Sequence, residues 1–164
     1  MADESNQLRV RLVTPERILF ESCASAVELP SKSGYFEVLY GHAPLLAELG
    51  AGDVTVHGCD NPDPASTVGS TRYNVSWGFV EVLPDRVTIL ASDALKPEEI
   101  DVPRAKQQLE RGEKMWNEAG ESEEACDDAL RGLSEAETKI SSASEKHKFR
   151  VNHQSIATIN RRPG

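Results

Sequence analysis

The chain has 164 residues, with 27 Asp plus Glu against 18 Lys plus Arg, for a formal charge of -9. That length suits one ordinary domain, or one small domain with an appendage. The acidic field repels phosphate backbones and anionic headgroups, which excludes nucleic acid as the expected partner. No apolar run approaches the roughly 20 residues of a spanning helix. Met1 to Gln7 carries acid where a signal peptide carries base, so a cytosolic protein is expected. Cys23, Cys59 and Cys126 are odd in number and far apart, which fits reduced thiols rather than a disulfide framework. His42, His57, His147 and His153 lack metal-ligand spacing, and no metal is expected.

From Leu8 the chain alternates, with Leu8, Val10 and Leu12 on one side and Arg9 and Arg11 on the other, the period of a half-buried strand. Short apolar runs follow at 17–21, 26–29, 35–39, 45–49 and 53–57, separated by turn-forming segments rich in Pro and Gly. Residues 58–71, with Pro62, Pro64 and Gly69, read as a long polar loop insertion. A last pair of strands, 73–83 and 86–91, surrounds Pro84-Asp85, and Gly78 stands where the inward face can switch through a bulge. About ten short strands in an all-β sandwich are expected over residues 1–92.

Beyond Ser92 the period becomes helical. Asp101 suits an N-cap with Pro103 in the first turn, and Ala105, Leu109, Gly112, Trp116 and Ala119 recur at steps of four and three. Gly120 suits the end of that helix, and Ser122 the start of a second. The second stripe is Cys126, Ala129, Leu133, Ala136, Ile140 and Ala143. The tight turn predicts an antiparallel helical hairpin over 93–148, and residues 149–164 read as an extended or disordered tail. Because Ala buries little apolar area, these thin stripes fit a movable element as well as a static helical subdomain.

Five segments occur in one order: Val13 to Arg17, Gly34 to Leu46, Leu49 to Val54, Val75 to Val82 and Ile100 to Ala105. Together they resemble the epsilon subunit family of bacterial F-type ATP synthases, the counterpart of mitochondrial delta. The resemblance implies a non-catalytic rotor subunit whose sandwich links the gamma subunit to the ring of c subunits. Its helices would extend toward the alpha/beta head to inhibit ATP hydrolysis. It implies a c-ring and gamma docking surface at Ser33, Gly34, Tyr35, Gly41 and His42. Attachment to the cytoplasmic face of the bacterial inner membrane would be peripheral and indirect, through partners.

In some members of the family a regulatory ATP binds between the hairpin and the sandwich. The matching positions here are Ile100, Asp101, Arg104, Ala105, Arg111 and Arg131. Arg104 and Arg111 share a helical face, and guanidinium groups suit phosphates. Leu95 and Glu135 depart from the pattern, the first where the family has an acid and the second where it has an arginine. The residues alone also leave open a cytosolic β-sandwich adaptor with a dimerising hairpin, and an all-β hydrolase using His42. Against the latter, no nucleophile motif accompanies His42, which reads as a turn histidine satisfied by hydrogen bonds.

Overall fold

The structure, a computed structural model, describes residues 6–58 and 69–159, with side chains as far as Ser144. Its strands are β1 (Leu8–Val13), β2 (Ile18–Ala24), β3 (Ala26–Ser31), β4 (Gly34–Leu39), β5 (Leu45–Leu49), β6 (Gly52–His57), β7 (Ser70–Leu83) and β8 (Arg86–Leu95). Two helices follow, α1 (Val102–Glu118) and α2 (Glu123–Ile159). The chain divides into two compact units between Lys96 and Pro97.

In the first unit the strands are ordered β2-β1-β8-β7-β5-β3-β4, with β6 bonded to β3 and β7. The β1–β8 pair is parallel. Strands β5 and β6 act as one interrupted partner of β7: Leu45 to Leu49 pair with Val82 to Gly78, and Gly52 to His57 pair with Val75 to Ser70. Alternate residues Leu8, Val10 and Leu12 of β1 are buried, as their spacing predicts, and join Leu29, Val38, Val54 and Ile89 in one core. Each fully buried aliphatic side chain of this kind contributes roughly 1.5–3 kcal/mol.

The structure has eight strands among the described residues rather than about ten, one for each apolar run, and the last two are long, 14 and 10 residues. The full length of β8, read from the pattern as ending at residue 91, is hidden in the sequence by a change of face. In β7 the apolar core positions are Tyr73 and Val75, then Val80 and Val82, with Thr71, Asn74 and Ser76 also buried, so residues 73–76 are covered on both faces; in β8 the core positions are Val87, Ile89 and Ala91, then Ala94. The apolar core positions of both strands change parity at the same level, around Gly78 and Ala91. The pairing stays in step across it, Ser76 with Asp93 and Gly78 with Ala91, so no residue is inserted and the bulge expected at Gly78 is absent. The ribbon coils instead, folding the sheet over so that both ends feed one core. A Cβ at Gly78 would fall 1.9 Å from the Leu90 carbonyl oxygen, which is why glycine stands there.

Of the predicted insertion, residues 59–68 lie outside the described residues. Its ends meet as a hairpin: the Gly58 N–H donates to the Gly69 carbonyl at 3.1 Å, with both glycines at positive φ.

In the second unit Asp101 caps α1, its Oδ1 accepting from the Arg104 N–H at 3.1 Å, and Pro103 occupies the first turn. Gly120, at φ +57°, ends the helix, and the Ser122 hydroxyl accepts from the Ala125 N–H at 3.4 Å at the start of α2. The helices meet through small residues, with Ala105, Gly112, Ala129 and Ala136 buried and Leu133 lying over Gly112. Trp116, expected on this seam, is instead 44% exposed. Helix α2 runs past the expected end at Lys148 to Ile159, so residues 149–159 are helical and not an extended tail. No Gly or Pro stands between Gly132 and Pro163 to stop it. Residues 160–164 lie outside the described residues.

Replacing Gly78 by alanine should lower the urea unfolding midpoint by the equivalent of about 3 kcal/mol, through forced separation of β7 and β8. An unchanged midpoint would show that the strands part there without cost.

Candidate functional site

Two surfaces carry the sequence-predicted site residues. The first lies between the helices, where the narrow Ala/Gly seam leaves a groove of about 580 Å³. Arg104, Gln107, Gln108, Arg111 and Met115 line it from α1, and Asp128, Ala129 and Gly132 from α2. The i, i+7 spacing does bring Arg104 and Arg111 to one face. The other predicted residues take different places. Asp101 spends its carboxylate on the N-cap, Ile100 and Ala105 are buried, and exposed Arg131 does not line the groove. Glu135 borders it, its Oε2 accepting from Gln108 Nε2 at 3.4 Å. Asp128 was not anticipated as a site residue, although Asp128, Gly132 and Glu135 fall at i, i+4 and i+7 on α2 and share a face.

The second surface is on the first unit. Ser33, Gly34 and Tyr35 form the β3–β4 turn, where Ser31 Oγ donates to the Gly34 carbonyl at 2.7 Å and accepts from the Ser33 N–H at 3.2 Å. Gly34, at φ +124°, supplies a backbone conformation that other residues rarely adopt. The Tyr35 hydroxyl accepts from the Asp53 N–H at 3.0 Å, which holds an otherwise exposed ring in place. Gly41 and His42 form the β4–β5 turn, pinned by the Gly41 N–H donating to the Pro84 carbonyl at 2.7 Å. His42 Nδ1 lies 2.7 Å from the Ala43 carbonyl oxygen, the local hydrogen bond expected of a turn histidine. The two turns sit at opposite ends of β4, an edge strand, roughly 17 Å apart at about 3.4 Å per residue.

Sequence reasoning missed a row of exposed apolar side chains on the outer face of the same sheet. Phe79 pairs with Leu90, Leu90 with Val13, and Val13 with Ile18, so the row crosses β7, β8, β1 and β2. Leu46 of β5 is a diagonal neighbour of Phe79. Leu46 is 73% exposed, Phe79 55%, Ile18 53% and Leu90 52%. The pairing register, which no local pattern reveals, is what aligns them.

Residues 7–97 match the family model described as ATP synthase, Delta/Epsilon chain, beta-sandwich domain. The chain is 41% identical over 110 residues to the ATP synthase epsilon chain of Koribacter versatilis, covering 66% of this chain and 71% of that one. It is 38% identical over 142 residues to the epsilon chain of Solibacter usitatus, covering 85% and 97%. Among solved structures, a chain of the Euglena gracilis mitochondrial ATP synthase has the same fold, with a TM-score of 0.64 at 21% identity over 80% of this chain and 78% of that one.

If Asp101 serves as a cap, Asp101→Ala should speed hydrogen exchange at the Arg104 amide about five-fold, for a loss of about 1 kcal/mol, while Asp101→Asn leaves it nearly unchanged. Equal exchange in all three proteins would assign the carboxylate another role.

Proposed function

The chain belongs to the bacterial F-type ATP synthase epsilon-chain family, whose members are non-catalytic subunits of a proton-transporting synthase, and from that premise we propose that it serves in the central stalk. In this reading the sandwich grips the gamma subunit and faces the c-ring, and the helices restrain ATP hydrolysis by extending toward the alpha/beta head. The observation that carries the docking role is the row formed by Leu46, Phe79, Leu90 and Ile18. These side chains point away from a complete core, and contiguous exposed apolar surface marks an interaction site. The row suits a partner presenting its own apolar face, as a stalk helix does.

The free side of β4 offers the second contact. Its two ends carry the Ser33–Tyr35 and Gly41–His42 turns, so a contact that uses both runs along this edge. That geometry suits loops arrayed on a ring. No helix among the described residues is long and apolar enough to cross a membrane, and in this reading the c-ring supplies attachment to the cytoplasmic face of the plasma membrane.

The inhibitory role draws on the helical unit. Its seam of Ala and Gly buries little area per residue, and Met115, Trp116 and Leu130 remain exposed elsewhere on the helices, available to a partner. An adaptor that dimerises through its helices would use the same residues, and differs in requiring self-association of the free chain.

Two outcomes test the proposal. Leu46→Asp or Phe79→Asp should weaken retention of the chain on a gamma–c-ring complex at least about tenfold, with an unchanged melting temperature, because both positions are exposed and the charge is desolvated only on docking. Retention at the wild-type level would remove the sheet face from the interface. Separately, assembled synthase carrying the full chain should hydrolyse ATP more slowly than synthase carrying a chain that ends at Lys96. Equal rates would dismiss the brake and leave the docking role standing.

A further inference from the structure

The groove between α1 and α2 contains its own counter-charge. Its α1 wall presents two guanidinium groups, Arg104 and Arg111, seven residues apart on one face. Its α2 wall presents Asp128, and Glu135 stands one heptad further along the same face, tied to Gln108 across the groove. Two cations and one anion therefore line one small concavity, with a second anion, Glu135, at its border. A nucleoside triphosphate carries several negative charges, and its phosphates would enter a space whose two guanidinium groups are offset by Asp128 in the lining and by Glu135 at the border. Arg104, Arg111 and Asp128 are exposed and Glu135 is half-buried, so water and salt weaken the repulsion of a phosphate by the carboxylates without changing its sign.

The remaining groups implied for a nucleotide site are also committed elsewhere. The Asp101 carboxylate accepts the Arg104 N–H, and Arg131 lies outside the lining. We infer that Asp128 and Glu135 occupy electrostatically the role a bound anion would play toward Arg104 and Arg111, so that closure of this hairpin is independent of ATP. The groove is a self-neutralised seam and does not sense nucleotide. This goes beyond the stalk assignment and stands whether or not the helices restrain hydrolysis.

The test uses isothermal calorimetry on the full chain with two probes, MgATP and inorganic tripolyphosphate. Wild type should give no saturable heat with either probe at millimolar concentration. The double variant Asp128→Asn/Glu135→Gln, which keeps side-chain size while removing both negative charges, should bind tripolyphosphate saturably and at least tenfold more tightly. That binding should weaken with added salt and vanish with a further Arg111→Ala. Helicity measured by circular dichroism confirms that the double variant is folded. Should it unfold, the single variant Asp128→Asn carries the same prediction with a smaller gain. Submillimolar binding of ATP by wild type that Arg111→Ala abolishes would overturn the inference. So would a folded charge-removed variant that binds tripolyphosphate no better than wild type.

Discussion

The close passage of β7 against β8 at Gly78 is the constraint on which the first unit depends. A long antiparallel ribbon has one inward face unless it inserts a residue or coils, and this one coils, with its register intact on both sides. Coiling brings the Leu90 carbonyl into the volume of a Cβ, so the position admits only a residue without one. Once the ribbon has turned over, β1 and β2 on one side and β5, β3 and β4 on the other direct alternate residues into a single core. The same coil sets Phe79 and Leu90 outward beside each other. The docking row is thus a by-product of the device that closes the sandwich.

The second unit is held on a different principle. Its helices approach through Ala105, Gly112, Ala129 and Ala136, where close packing contributes dispersion and little apolar area. Short side chains on the seam leave space beside it, and longer polar ones line that space. The groove and its paired charges follow from the seam being narrow. A bulkier seam would bury more area and leave no groove, giving a stiffer hairpin with fewer exposed apolar residues.

Much of the fold was legible because its signals are local. Alternation located β1 and β6, the Asp101 and Ser122 caps located both helix starts, and Gly120 located the turn between them. The signal failed where a tertiary event altered the local pattern. Alternation stops after Ala91 since β8 changes face there, although its pairing continues to Leu95. Trp116 fits the helical period but stands outside the contact, because a seam closed by Ala and Gly is narrower than the hydrophobic stripe. Of the proposed nucleotide residues, spacing alone correctly placed Arg104 and Arg111 together. The cap reading of Asp101 already implied that its carboxylate is spent on a backbone amide, as the structure has it.

The sequence by itself determined the division into a strand-rich part and a helical part, the caps that start the helices, and, through five ordered segments, the family. Each of these depends on neighbours within a few residues or on the order of segments along the chain. Tertiary structure alone decided the outward row of Leu46, Phe79, Leu90 and Ile18, the separation of the two turns along β4, and the placing of Asp128 in one groove with the arginines and of Glu135 at its border. Strand register and helix facing bring together residues far apart in the chain, and the free energy that selects them comes from burial of the whole core rather than from any local preference.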